Sequence, residues 1–193
     1  MIIGITGGTG CGKTTLLNVI RDCGGVVLDC DAIYHRLLST DQDLLRAIEA
    51  RFSGTVQHGI LDRKALGKLV FADKVALKDL NSITHGAVKR EVLRQLEAKP
   101  TLAAIDAIAL IESGLSELCD VTVAVIAPEE ARVRRLMFRD EITEDYARQR
   151  IAAQHTDEWF REHCDYVLEN RYDLAFFETK CVAFLKNLGI MKL

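Results

Sequence analysis

The sequence has little proline, no strong excess of one charge and no long apolar run. Two of its 193 residues are proline and no segment is of low complexity, so we expect a folded chain. A formal net charge of −3 gives no sign of a general nucleic-acid-binding surface. No apolar run approaches the roughly 20 residues of a membrane span, and the N-terminus lacks the basic start and cleavage site of a signal peptide. We therefore expect no nucleic-acid partner, no membrane partner and a cytoplasmic location.

Cysteine is present but is not spaced for metal binding. None of the six cysteines forms a C-x-x-C pair, which disfavours a zinc ribbon. Reduced thiols of a cytosolic protein are the simplest interpretation.

The chain is rich in apolar residues, which make up 49% of the sequence and are enough for a substantial core. Its length predicts one domain with room for an insertion, and the oligomeric state stays open between a monomer and a small homo-oligomer.

The N-terminal segment carries the strongest signal. Residues 1–6 read as a short buried strand, and residues 7–14 fit G-x-x-x-x-G-K-[ST] at every fixed position before a helical pattern begins. In this context the glycines let backbone N–H groups surround phosphate oxygens in front of a helix N-terminus. Lys13 is expected to reach the phosphates of ATP, and the Thr14 hydroxyl to bind Mg²⁺. The residues predicted to bind the nucleotide here are Gly8, Thr9, Gly10, Cys11, Gly12, Lys13, Thr14 and Thr15.

Further apolar runs predict a parallel α/β sheet of five strands. After the first strand, four more candidates alternate with helical segments: residues 26–29, residues 102–105 with an extension toward Ile111, residues 121–126 and residues 166–168. Residues 32–99 contain no good strand, so we expect a helical insertion with helices that begin after Asp41 and Asp62. Two more helices are predicted from Pro128 to about Arg139 and from Thr143 to Gln154.

Two groups of charged residues follow predicted strands. Asp29 and Asp31 come at the carboxyl end of the second strand, where parallel α/β sheets bind ligands. An Asp in this place is often only a helix cap, but beside a phosphate loop we expect Asp31 to orient or deprotonate an acceptor hydroxyl. After the fourth strand comes a run of arginines that can clamp phosphates, although a solvated helix face is the usual fate of such a run. Arg135 and Arg139 share a face and are the favoured pair.

Several segments together resemble the dephospho-coenzyme A kinases. The phosphate loop alone is shared by many NTPases, but the remaining segments are more specific. The resembling segments are residues 4–14 (phosphate loop), 27–31 (V-I-D-A-D), 59–66 with 70–71 (G-x-L-D-R-x-x-L…V-F), 83–85 (a His), 110–112 (L-L-x-E), 139–140 with 151–154 (a lid ending in A-x-Q) and 164–170 (A-D-x-x-I-x-N).

This resemblance implies ATP-dependent phosphorylation of the ribose 3′-hydroxyl of dephospho-coenzyme A. It implies that Asp31 is the catalytic base and that Arg139 is a lid arginine. Arg63, His85 and Glu112 fall in the substrate-binding segments, and Asn170 would lie near the adenine of ATP. It also implies a single P-loop kinase domain with a core (1–31, 100–134 and 156–193), an acceptor-binding insertion (32–99) and a lid (135–155).

Two departures from the family pattern keep alternatives open. Gly86 replaces the usual Pro after the His, and residues 107–109 (A-I-A) replace the usual V-P-L. One alternative is therefore a P-loop kinase for another small acceptor, such as a nucleoside or nucleotide. The other is a nucleotide-dependent switch with little kinase activity, which the missing N-K-x-D guanine motif disfavours.

Overall fold

The computed structural model describes residues 1–191 of the chain. The chain divides into two compact units: the first combines Met1–Leu28 with Pro100–Leu193, and the second is Asp29–Lys99. No helix in the described residues is both long and apolar enough to cross a membrane.

The first unit is built on a five-stranded parallel sheet, so the predicted α/β fold is confirmed. Its strands are β1 (Ile2–Thr6), β2 (Val26–Asp29), β5 (Ala103–Asp106), β6 (Val121–Ile126) and β7 (Tyr166–Glu169). Across the sheet they lie in the order β2-β5-β1-β6-β7. The central strand β1 pairs with β5 on one side and with β6 on the other. Ile3, Ile5, Val123 and Val125 have no exposed surface, as expected of strands that are covered on both faces.

The same unit contains the helices α1 (Lys13–Asp22), α6 (Glu129–Asp140), α7 (Glu144–Ala152), α8 (Asp157–His163) and α9 (Leu174–Asn187). Helices α1 and α9 share one apolar core with the strands, in which Leu16, Ile20, Phe177 and Leu185 are all buried. The sequence did not predict α8, which is a short helix that begins where Thr156 accepts a bond from the Trp159 N–H.

Strand β5 ends earlier than the extension toward Ile111 that the sequence suggested. The chain leaves the sheet after Asp106 and continues through turns to a 3₁₀ helix at Leu115–Leu118. Within these turns, the Ser113 and Gly114 N–H groups donate to the carbonyls of Ala109 and Ile111. These turn bonds replace the ladder bonds that a longer strand would form.

The second unit is helical apart from one small hairpin. Its elements are α2 (Cys30–Thr40), α3 (Gln42–Arg51), β3 (Val56–Gln57), β4 (Ile60–Leu61), α4 (Arg63–Ala72) and α5 (Lys74–Leu96). Helices α3 and α4 begin, as predicted, with Asp41 and Asp62 as N-caps. The expectation of no strand was wrong at the β3–β4 hairpin, because two-residue strands are too short to show alternation. Its turn residues His58 and Gly59 both have positive φ, as a tight hairpin requires.

Candidate active site

The segment between β1 and α1 is a glycine-rich loop that only glycine can build at two positions. Gly7 has a φ of +131°, and a Cβ there would lie 2.1 Å from the Val125 carbonyl oxygen. Gly12, the N-cap of α1, has a φ of +96°, and its Cβ would lie 2.4 Å from Asn170 Nδ2. Left-handed backbone and close approach both exclude a side chain. The backbone of the loop therefore packs directly against Val125 and Asn170, with no room for a side chain at Gly7 or Gly12.

The start of α1 fits an anionic ligand. Gly12 provides no side-chain cap, and the first turn contains no acidic residue. In this turn the Thr15 N–H donates to the Gly12 carbonyl oxygen at 3.1 Å, whereas the amide groups before it come too early in the helix to reach a helix carbonyl. Together with the positive end of the helix dipole, they make a site that suits phosphate. Lys13 Nζ lies beside the loop and donates to the Gly7 carbonyl oxygen at 2.9 Å, and Thr14 is exposed in the first turn.

Three side chains hold the carbonyl oxygens of the loop. Arg132 Nε donates to Thr9 O at 2.9 Å, Arg135 Nη1 to Gly10 O at 3.0 Å, and Asn170 Nδ2 to Cys11 O at 2.9 Å. Because these three successive carbonyls are engaged by side chains from outside, the conformation of the loop is fixed from α6 and from the end of β7. Arg135 and Asn170 were both predicted to lie in the nucleotide site.

Sequence reasoning missed Arg132 and Gln154 as site residues. Gln154 Oε1 accepts bonds from the Thr9 N–H at 2.8 Å and from Arg132 Nη2 at 2.9 Å. A signal was available, because Arg132, Arg135 and Arg139 recur at helical spacing on one face of α6. That face also carries Leu136, and the structure buries both Leu136 and Arg132.

Arg139 has a different partner from Arg135. Its guanidinium forms two bonds to the Asp140 carboxylate, at 2.6 and 2.9 Å, and Arg150 also donates to Asp140. These bonds, first that of Arg139 and then that of Arg150, hold the pKa of Asp140 well below its ordinary value. The Arg139 side chain is exposed and pairs with Asp140, whereas Arg135 contacts the loop.

Cys11 is a buried neutral thiol within the loop. It is 1% exposed, and burial raises the pKa of the thiol, an effect that the nearby charges of Arg132 and Lys13 only partly offset. Since the thiolate is the reactive form of cysteine, this residue serves as a small apolar spacer that packs into the core of the sheet.

Glu112 lies at a cavity beside the phosphate loop. The cavity has a volume of about 260 Å³ and is lined by Gly8, Ile108, Ala109, Glu112, Ala153, Gln154, His155 and Phe160. Glu112 Oε1 is 2.6 Å from His155 Nε2, and the His155 ring stacks on Trp159 with a centroid distance of 3.7 Å. The structure therefore brings Glu112 together with the loop, and adds His155, which the sequence did not indicate.

Three predicted residues belong to the second unit. Asp31 is exposed in the first turn of α2, Arg63 is exposed at the start of α4, and His85 is half-buried on α5. Strand β2 ends at Asp29, so the backbone is already helical at Asp31. Asp29 is the N-cap of α2 and accepts a bond from the Ala32 N–H at 2.9 Å. The capping role weighed for this D-x-D pair thus applies to Asp29.

A parallel five-stranded sheet whose first strand runs through a G-x-x-x-x-G-K-[ST] loop into a helix defines a P-loop nucleotide-binding protein. The chain belongs to the dephospho-CoA kinase family (CoaE), whose family model matches residues 1–175. Members of this family catalyse the final, ATP-dependent step of coenzyme A biosynthesis. The resemblance seen in the sequence is therefore confirmed.

Individual relatives agree with this assignment. A dephospho-CoA kinase of Corynebacterium diphtheriae is 37% identical over 175 residues, which cover 88% of each chain. Among solved structures, TT1252 from Thermus thermophilus has a TM-score of 0.80 at 35% identity and covers 97% of each chain. A dephospho-CoA kinase from Campylobacter jejuni has a TM-score of 0.69 at 26% identity, with 98% of each chain covered.

Proposed function

We propose that this enzyme transfers the γ-phosphoryl group of ATP directly to the ribose 3′-hydroxyl of dephospho-coenzyme A. The observation that carries the proposal is the phosphate loop, whose uncapped helix start and exposed Thr14 suit a magnesium-bound triphosphate, in a chain that belongs to the dephospho-CoA kinase family. Phosphoryl transfer needs positioning and charge neutralisation more than covalent chemistry. The proposed roles of the individual residues follow from that requirement.

On the nucleotide side, Lys13 and the first amides of α1 bind the phosphates. The Thr14 hydroxyl is a suitable hard oxygen ligand for Mg²⁺, which binds few protein groups and keeps several waters and phosphate oxygens. When bound, Mg²⁺ neutralises charge on the phosphates. Arg135 is within reach of the loop through Gly10, which supports a role beside the phosphates. We assign Asn170 to the adenine side by family resemblance, and its buried Oδ1 has no bond within the described residues.

On the acceptor side, Asp31 accepts the proton of the attacking hydroxyl. Its support comes from the chain connection, since β2 ends at the carboxyl edge of the sheet two residues earlier and ligands bind at that edge in such folds. Arg63 and His85 bind the acceptor in the second unit, and Glu112 binds it at the cavity beside Gly8. In this scheme Arg139 leaves Asp140 and closes over the transferring phosphoryl group.

The arrangement of the chain follows the same proposal. Residues 1–31, 100–134 and 156–193 form the kinase core, residues 32–99 the acceptor-binding insertion, and residues 135–155 the lid. All six cysteines are free, which supports a reducing compartment and so a cytoplasmic location. The partner is a small molecule, dephospho-coenzyme A, and no nucleic-acid partner is proposed.

Release of ADP from MgATP tests the function. The enzyme is assayed with dephospho-coenzyme A, with adenosine, with AMP and without acceptor, and Lys13→Ala serves as the blank. We expect strong stimulation by dephospho-coenzyme A alone, lost in the Lys13→Ala variant. Stimulation by adenosine or AMP instead would point to another acceptor, and tight nucleotide binding without any stimulation would favour a nucleotide-dependent switch.

A further inference from the structure

Arg132 is a buried cation that lies against the backbone of the phosphate loop. The side chain belongs to a residue that is 5% exposed, although arginine is almost never fully buried unless it is paired. A Cβ at Gly8 would lie 2.2 Å from Arg132 Nη2, so the guanidinium fills the space that a side chain at Gly8 would need. The buried position of Arg132 therefore depends on glycine at position 8 and on the path of the loop backbone.

Both backbone polar groups of Thr9, its N–H and its carbonyl oxygen, form hydrogen bonds with side chains. The Thr9 carbonyl oxygen accepts from Arg132 Nε, and the Thr9 N–H donates to Gln154 Oε1. Arg132 Nη2 donates to the same Gln154 oxygen at 2.9 Å. These three bonds close a ring through Thr9, Arg132 and Gln154, in which the planar guanidinium forms two bonds in fixed directions.

The ring joins the loop to the end of the proposed lid. Gln154 follows α7, and its own N–H donates to the Ile151 carbonyl oxygen at 3.1 Å. Thr9 is separated from Gln154 by 145 positions, so the contact links two distant parts of the chain. A displacement of the end of α7 must therefore either carry Thr9 with it or break the ring.

We propose that Arg132 and Gln154 act as one positioning unit for the phosphate loop, holding Thr9 in the conformation that binds the nucleotide. Arg132 makes no contact with substrate in this role and acts through Thr9. The inference deepens the proposed kinase function and rests on it only for the identity of the nucleotide. It concerns binding at the loop, so it can be tested without any acceptor.

The test is calorimetric titration of MgADP into the full chain. We expect Arg132→Gln to weaken MgADP binding tenfold or more, and Arg132→Lys to weaken it less, because lysine keeps one of the two bonds. Arg134→Gln is the matched control, since Arg134 is an exposed arginine on the same helix, and should bind within twofold of the wild type. Gln154→Ala should weaken binding by itself but add little in the Arg132→Gln background, because the two residues act together.

Other outcomes would overturn the proposal. MgADP binding by Arg132→Gln within twofold of the wild type would exclude a positioning role, as would effects of Arg132→Gln and Gln154→Ala that multiply. A merely structural arginine would lower the melting temperature and leave the affinity of the folded protein unchanged. If Arg132→Gln does not fold, Gln154→Ala alone decides, since Gln154 is only half-buried. Failure of the acceptor assay would leave these binding results standing and would count against the proposed function alone.

Discussion

Glu112 and His155 are in hydrogen-bond contact, with 2.6 Å between Oε1 and Nε2, although they are 43 positions apart in the chain. Both line the cavity that also includes Gly8 of the phosphate loop. Trp159 stacks on one face of the imidazole, with 9° between the ring planes. His155 therefore sets the direction of a carboxylate that we assign to acceptor binding.

Removing His155 should weaken acceptor binding by a limited amount. We expect His155→Ala to raise the KM for dephospho-coenzyme A about threefold to fivefold and leave the KM for ATP unchanged, because a half-exposed pair contributes less than about 1 kcal/mol. His163→Ala is the matched control. His163 also stacks on Trp159, at 4.2 Å, but it bonds to the Trp159 carbonyl oxygen and not to Glu112. Equal effects of the two variants on the acceptor KM would contradict the assignment.

Substitution of Gly24 and of Gly12 distinguishes the cost of backbone strain from the cost of a steric clash. Both have left-handed backbone, but a Cβ at Gly24 meets nothing within 4 Å, whereas one at Gly12 meets Asn170 Nδ2. We expect Gly24→Ala to lose about 1 kcal/mol of unfolding free energy from backbone strain alone. Gly12→Ala should lose more and should also abolish measurable MgADP binding, because Asn170 is buried and its bond to Cys11 must break. Urea denaturation and calorimetry measure the two effects, and intact MgADP binding by Gly12→Ala would refute the second.

The nucleotide site could be predicted where it is local in sequence. The loop, its lysine and the helix after it occupy one continuous segment, so spacing alone predicted them. The Asp caps of α3 and α4 were predicted for the same reason. Arg132 and Gln154 were missed because their bonds to Thr9 span 123 and 145 positions, and a run of arginines does not indicate which one turns inward. The β3–β4 hairpin was missed because two residues per strand cannot show a period.

Variants of Asp31 and Asp29 distinguish a role in proton transfer, proposed for Asp31, from helix capping by Asp29. We expect Asp31→Asn to lower kcat by about 10² to 10⁴, the range for removing a general base, with little change in stability, since Asp31 is exposed. For Asp29→Asn we expect less than a tenfold change in kcat, because an asparagine oxygen still accepts from the Ala32 N–H and asparagine is as good an N-cap. Steady-state kinetics at saturating MgATP and acceptor distinguish the two. Unchanged turnover in Asp31→Asn would remove it from the mechanism.

The acid stability of the second unit should depend on Glu91. Its carboxylate accepts bonds from Arg94, Arg36 and Gln95, with the Arg36 bond joining α2 to α5. These bonds, led by that of Arg94, hold the pKa of Glu91 well below its ordinary value of 4.5. A carboxyl whose pKa is lower in the folded chain stabilises the fold above its unfolded pKa, and that contribution disappears as the pH falls toward the folded pKa.

We therefore expect Glu91→Gln to lose about 1.5–3 kcal/mol of unfolding free energy at pH 7, the range for a hydrogen bond to a charged group. The difference from the wild type should shrink steadily as the pH falls from 5 to 3. In this range Glu91 becomes protonated in the unfolded chain, so the stabilisation that its low folded pKa gives to the wild type decreases. Urea denaturation across this range gives the measurement. Asp79→Asn is the control: its pair with Arg51 is two-fifths exposed on both sides, so it should cost less than about 1 kcal/mol at every pH. A Glu91→Gln difference that stays constant from pH 7 to pH 3 would show that the loss comes from packing rather than from charge.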